Sequence, residues 1–292
     1  MAEKKRHRWD RPDGYYVKVD SFHNYFNYMN YDRTDCEVCL LSSLDVTEIM
    51  KYIEEKKQVL DHKVTLFHAI LTAMAKMIYN RPKMNYFVAN RRTYERKKVI
   101  LSFVAKKKFE DTAEEAMMML NVKPEYTFDD ISAYASGEIE KAKNPQGENY
   151  GADDALDTVA KFPRWFMKIV MGIFRIMDRN GKFPKSFMDV DPNYSTVLLS
   201  NLGSIKCDAV YHHLSNFGTN SIVLTIGTVH KEEVLQTDGS KAIRDIVNFG
   251  ITIDERIGDG FYFSRCMKLI QHIMSHPELL NDRVDTAISY SD

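Results

Sequence analysis

Apolar residues recur along this chain with two periods, and the change from one to the other marks its organisation. TLFHAILTAMAKMIYN, residues 65–80, sets Leu66, Ile70, Ala73 and Met77 on one helical stripe, with Pro82 beyond its end. That pattern predicts a helix packed into a core, with His68 as a core histidine. Before it, CEVCLLSSLDV reads as a strand and TEIMKYIEEKK as a helix whose start Asp45 or Thr47 caps. MNYFVANRRTYER predicts a hairpin around Asn90 and Arg91, KVILSFVAKK a further strand, and AEEAMMML and DDISAYASGEIEKAK two helices. NPQGENYGADD is a polar, glycine-bearing loop. From residue 194 strands dominate, in YSTVLLSNLGS, NSIVLTIGTVH and RDIVNFGITID, before a last helix, FYFSRCMKLIQHIM. The strands lie further apart than hairpins allow, which predicts a mixed sheet with helices packed on it and no internal domain boundary.

One apolar segment fits neither core pattern cleanly. FPRWFMKIVMGIFRIM, residues 162–177, is shorter than the roughly 20 apolar residues a spanning helix needs, and Arg164, Lys168 and Arg175 interrupt it. It predicts a buried or interface helix, with Pro163 near its first turn and Gly181 ending it. A helix lying in a membrane surface is the rarer alternative.

Composition narrows the function classes. The 292 residues are 44% hydrophobic, enough for a sizeable core, and 40 basic against 41 acidic residues leave a net charge of −1. No overall field draws such a protein to nucleic acid or to an anionic membrane. Four cysteines are too sparse for a disulfide framework, and MAEKKRHRWD lacks the apolar core of a signal peptide, so a cytoplasmic location is expected.

Candidate chemistry is scarce by spacing alone. Cys36 and Cys39 form a lone CxxC inside a strand, where their side chains point to opposite faces, so no metal site is expected. Adjacent His212 and His213 admit a general base or a ligand pair, but packing in a turn is commoner for such residues. No phosphate loop or dinucleotide fingerprint is present. What remains is NFGITIDERIGDG, residues 248–260, where an apolar strand runs into Asp254, Glu255, Arg256 and Asp259 before a glycine opens a helix.

That stretch, together with SNLG at 200–203, the strand IVLTIG at 222–227 and HPELL at 276–280, resembles the acyltransferase catalytic domain of oxoacid dehydrogenase complexes. That family shares the fold of chloramphenicol acetyltransferase. YDRTDCEVCLLSSLDVTEIMKYIEEKK sits where the family has its arginine, strand and helix start, so the resemblance spans roughly residues 15–280. It implies an α/β two-layer fold, a mixed β-sheet with packed helices. Residues 1–14 would be a basic, flexible N-terminus and 15–292 a single catalytic domain, with no room for lipoyl or peripheral-subunit-binding modules.

The family's signature is Asp-His-Arg-x-x-Asp-Gly, whose histidine takes a proton from the thiol of coenzyme A or dihydrolipoamide. Here Glu255 occupies the histidine position, between matching Asp254 and Arg256 and ahead of matching Asp259 and Gly260. Ser200, followed by Asn201, falls where the family places the hydroxyl that stabilises the tetrahedral oxyanion. The resemblance implies a homotrimer with Ser200 of one chain facing Glu255 and Asp259 of the next. Coenzyme A or an acyl-CoA would be the substrate, with no tightly bound cofactor. It also implies that Asp259 braces the turn through a buried contact, so that Asp259→Ala would cost roughly 3–5 kcal/mol, and that Gly260 lets the backbone enter its helix closely.

Passing a thiol proton of pKa near 8.5 to histidine costs roughly 2.7 kcal/mol, against nearly ~6 for an ordinary glutamate. The difference is on the order of a hundredfold in rate, unless burial raises the carboxylate. Two alternatives therefore stand beside acyl transfer. One is a catalytically inactive trimeric scaffold or ligand-binding protein in which Glu255 pairs with Arg256 or with an arginine of a neighbour. The other is a different reaction, in which Glu255 binds a substrate amine or hydroxyl that His212 or His213 activates.

Overall fold

The computed structural model describes residues 7–106, 115–143, 162–236 and 238–290. A mixed sheet forms one layer, in the order β2 (Glu37–Asp45), β10 (Lys241–Asp254), β8 (Ile222–Ile226), β7 (Val197–Asn201), β5 (Val99–Lys106), β6 (Glu115–Val122), with β9 (His230–Leu235) beside the first half of β10. The pairs β5–β7 and β7–β8 are parallel and the others antiparallel. A small second sheet joins β1 (Gly14–Tyr16), β4 (Arg92–Arg96) and β3 (Tyr86–Ala89). The mixed sheet and packed helices expected from the sequence are present.

Beyond the N-terminal helix α1 (Ser21–Met29), helices α2 (Thr47–Val59), α3 (Leu66–Asn80), α4 (Phe128–Lys143) and α6 (Gly260–Ser275) cover one face of the large sheet. Period-two alternation determines which side chains they meet. Val247, Phe249, Ile251 and Ile253 of β10, Leu224 and Ile226 of β8 and Val197 and Leu199 of β7 all enter the core with Ile70, Met77, Leu269 and Ile273 of the helices. The hairpin turn lies at Asn90 and Arg91 as expected, with φ of +46° and +61°, the left-handed pair of a type I′ turn.

The opposite face of β8 and β10 is covered by backbone rather than helix. The segment 206–218 crosses it lengthwise: Asp208 accepts from Asn248 Nδ2 at 3.1 Å, Val210 N donates to Thr225 Oγ1 at 3.1 Å, and Leu214 N donates to Glu37 Oε1 at 2.6 Å. This approach needs Gly250, because a Cβ there would meet the Val210 carbonyl and stand 2.6 Å from Thr225 Oγ1.

Three expectations change. AEEAMMML contributes a strand, β6, and not a helix: Ala116, Met118, Leu120 and Val122 alternate into the core while Met117 is exposed, and pairing with β5 overrides the helix propensity of methionine and leucine. The 162–177 segment does form a helix, α5 (Arg164–Arg179), starting after Pro163 and ending at Gly181 with φ +66°, but it is not buried: Asp178 is its sole buried residue. β9 and β10 form a hairpin around Asp238 and Gly239, closer than the strand spacing suggested. NPQGENYGADD falls outside the described residues.

Candidate active site

Glu255 sits where β10 ends. The strand's last residue, Asp254, is fully buried and opens a short 3-10 turn, Glu255–Ile257, by accepting from Arg256 N at 3.2 Å. The same carboxylate takes two bonds from the Arg256 guanidinium, at 2.8 and 2.7 Å, and stands 3.5 Å from Arg33 Nε. Arg256 Nη1 also donates to the carbonyls of Asn30 and Tyr31, both at 3.0 Å, and Arg33 donates to the carbonyls of Val88 and Gly218 at 3.2 Å. The two arginines respond differently to burial. Burial pulls the Arg33 guanidinium below its ordinary value despite Asp254, whereas at Arg256 the bonds to Asp254 outweigh burial and raise it. The turn is thus clamped from beneath by a paired, hydrogen-bonded charge cluster.

Above the clamp, Glu255 is half-buried, and its carboxylate makes no hydrogen bond or ion pair among the described residues. Arg256 is fully occupied elsewhere, so the Glu255–Arg256 pair expected for a scaffold is not formed. The buried thiol of Cys36, close enough to feel the Glu255 charge, is pushed up to about 11, mainly by desolvation. It remains protonated at neutral pH. Cys39 lies exposed on β2 beside Thr252, whereas Cys36 closes the 3-10 turn Arg33–Cys36 ahead of the strand and not inside it as expected; no cluster of metal-binding side chains occurs among the described residues.

Asp259 and Gly260 differ from expectation. Asp259 is exposed and accepts from Tyr262 N at 2.7 Å, an N-cap of α6 and not a buried brace; Asp254 has the bracing role. A Cβ on Gly260 would meet nothing within 4 Å, so in the single chain no close approach requires a glycine there.

Ser200 lies at the other end of the sheet. It stands opposite Thr225 of β8, which stands opposite Gly250 of β10, five residues short of Glu255 and hence roughly 16 Å away along the strand. Val197 and Leu199 of β7 enter the core, so Ser200 belongs to the face that carries segment 206–218; its hydroxyl has no hydrogen bond among the described residues. Within one chain Ser200 and Glu255 do not meet. His212 and His213 lie midway on that segment, exposed and stacked 4.7 Å apart, with His212 Nδ1 against the His213 carbonyl at 2.8 Å. Neither is hydrogen-bonded to Glu255.

A cavity of about 870 Å³ opens on the helix side of the Ser200 end, between Phe67, His68, Ser136, Asn201, Gly203 and Thr228. Asn201 is thereby turned away from the Ser200 face. His68 and Ser136 look like a base and a nucleophile, 3.4 Å apart, but the geometry excludes that pairing. His68 Nδ1 accepts from Thr65 N at 3.1 Å in a capping box, so its proton sits on Nε2 and points at the serine. Burial holds His68 down to about 4, with help from His62 and Lys63. It is a neutral core histidine, as its place in the apolar stripe suggested.

Residues 185–281 match the profile of the 2-oxoacid dehydrogenase acyltransferase catalytic domain. No curated relative matches the sequence. The fold is similar to that of a probable dihydrolipoamide acetyltransferase from Listeria monocytogenes, at 16% identity and TM-score 0.58 over 89% of this chain and 94% of that one. It is similar, at 15% identity and TM-score 0.60 over 90% and 93%, to the dihydrolipoamide acetyltransferase of Azotobacter vinelandii, studied for the role of a serine, a histidine and an asparagine in its mechanism. A chloramphenicol acetyltransferase matches at 15% identity and TM-score 0.55 over 88% and 96%.

Proposed function

We propose that this chain, matched at 185–281 to the acyltransferase catalytic domain and similar in fold to dihydrolipoamide and chloramphenicol acetyltransferases, transfers an acyl group between coenzyme A, or another thiol, and an acceptor. It does so as a homotrimer in which Glu255 and Asp259 of one copy face Ser200 of the next. The Glu255 carboxylate takes the thiol proton, the sulfur attacks the acyl carbonyl carbon, and the Ser200 hydroxyl donates to the oxyanion that forms. As the tetrahedral intermediate collapses, the carbon–leaving-group bond breaks and the proton passes from Glu255 to the leaving atom. His212 and His213, exposed on the segment between the two ends of the sheet, are placed to meet the acceptor. No helix among the described residues is long and apolar enough to cross a membrane, and a cytoplasmic location goes with this reading.

The unengaged Glu255 carboxylate above the Asp254–Arg256 clamp is the observation that carries the proposal. A side chain kept for structure would be tied to its neighbours, whereas a base must leave its lone pairs open to substrate. The competing trimeric scaffold rests on the missing imidazole.

Calorimetry with acetyl coenzyme A and an acyl-transfer assay of Glu255→His separate the two. If the site is otherwise intact, imidazole accepts a thiol proton more readily than an ordinary carboxylate, and the variant gains on the order of a hundredfold in thioester turnover. Failure to bind acetyl coenzyme A, with no thioester turnover in wild type or variant, would overturn acyl transfer and leave the scaffold.

A further inference from the structure

Helix α5 has two faces of unequal fate. Phe174 and Met177 pack on a small cluster of Phe183, Met188 and Tyr194. Asp178 fixes the helix end by accepting from Tyr194 Oη at 2.8 Å and Gly218 N at 3.1 Å, and its own carbonyl takes Arg11 Nη1 at 2.6 Å. The stripe Trp165, Ile169, Ile173 and Ile176 instead faces outward, at 66, 52, 50 and 63% exposure. These residues follow helical spacing and form one continuous apolar strip along the helix.

A row of cations borders the strip. Arg164, Lys168 and Arg175 fall at i, i+4 and i+11, all exposed; Arg179 continues the row but is drawn to Asp32 at 3.6 Å and lies over the Tyr31 ring. The helix contains one acidic residue, Asp178, and that carboxylate is buried and turned inward. The outward surface of α5 is therefore apolar and cationic, with no negative charge, on a chain whose net charge is −1.

We propose that α5 lies flat on an anionic lipid surface, its Trp165–Ile176 strip sunk into the acyl boundary and Arg164, Lys168 and Arg175 at the level of the phosphates. The charge pattern selects this occupant. A second copy docked symmetrically through the same strip would set the three cations against their own kind, whereas lipid phosphates neutralise them while the acyl chains cover the strip. The helix rests on the membrane and does not cross it, being 16 residues long and interrupted by charge. The attraction belongs to this helix alone, since the whole chain has no net field, and it is independent of the acyl-transfer reading.

Flotation of the full chain with vesicles tests this. Partition into equimolar phosphatidylcholine–phosphatidylglycerol vesicles is expected to exceed that into phosphatidylcholine alone by about tenfold or more, and to fall steeply in high salt. Lys168→Glu with Arg175→Glu is expected to remove that preference, and Ile169→Glu with Ile173→Glu to abolish binding to both. All four positions are exposed, and unchanged circular dichroism would establish that the variants fold. Equal partition into both vesicle types, or binding that survives these substitutions, would overturn the proposal. So would absence of vesicle binding together with a fall in mass by light scattering for Ile169→Glu/Ile173→Glu, which would assign the strip to a second copy.

Discussion

The two ends of the sheet handle buried ionisable groups in opposite ways. At the Glu255 end, Arg33, Asp254 and Arg256 are buried as charges, joined by bonds as short as 2.7 Å, and the two arginines donate to five backbone carbonyls, of Asn30, Tyr31, Val88, Ser215 and Gly218. At the Ser200 end the cavity beside Asn201 is lined by a histidine kept neutral by burial and held in a capping box. A charged cluster resists displacement because removing one member leaves another buried and unpaired. A neutral histidine can be unsettled simply by acid. The Glu255 end is thus rigidly underpinned, while the Ser200 end borders a cavity with an acid-sensitive wall.

The largest break in this comparison is Asp254→Ala. It leaves the buried guanidiniums of Arg33 and Arg256 without their carboxylate and removes the acceptor for Arg256 N, and it is expected to cost about 3–5 kcal/mol in urea unfolding. A loss below about 1 kcal/mol would mean that water solvates the turn and that the clamp does not exist.

Much of this contrast was legible in the sequence, though unevenly. Strand β10 could be read because its β-branched and aromatic residues alternate, and the turn after it because four charges in six residues interrupt an apolar run. The resemblance located the arginine near residue 31 to 36 but not its partner, since Arg33 reaches Asp254 only after the chain has folded across more than two hundred residues. Arg11, buried against Asp178, was hidden in a basic N-terminal stretch for the same reason. Strand β6 was misread because an unbroken run of methionine and leucine has no visible period; only its pairing with β5 reveals the alternation. The β9–β10 turn, by contrast, was signalled locally by Asp238-Gly239. The separation of Ser200 from Glu255 required the register, which short motifs do not contain.

Acid sharpens the comparison at the other end. His68 is held near 4 in the fold against an ordinary 6.5, so between these values the unfolded chain binds the extra proton. The histidine's contribution is complete above about pH 6.5 and is lost as pH falls towards 4, up to about 3 kcal/mol. Gln at the same position keeps a capping-box side chain without titrating. Wild type is therefore expected to lose more unfolding free energy than His68→Gln between pH 7 and pH 4, by at most that amount. Parallel losses in the two proteins would show that the histidine is already solvated.

The smallest effect discriminates most finely between one chain and an assembly. Asp259 caps α6 through Tyr262 N and is exposed, so in an isolated chain Asp259→Ala removes one capping bond and costs about 1 kcal/mol, and Asp259→Ser restores most of it. In the resembled family this aspartate is a buried brace, a role that Asp254 fills here. If Asp259 lies against a neighbouring copy in the proposed trimer, the same alanine substitution will leave a buried partner unsatisfied and cost roughly 3–5 kcal/mol, which serine will not recover. Unfolding measured across a range of protein concentrations separates these outcomes. A constant loss of about 1 kcal/mol that serine reverses assigns Asp259 to its own helix alone and removes it from the shared site. A larger loss that shrinks towards about 1 kcal/mol as dilution dissociates the copies places it between chains, opposite Ser200.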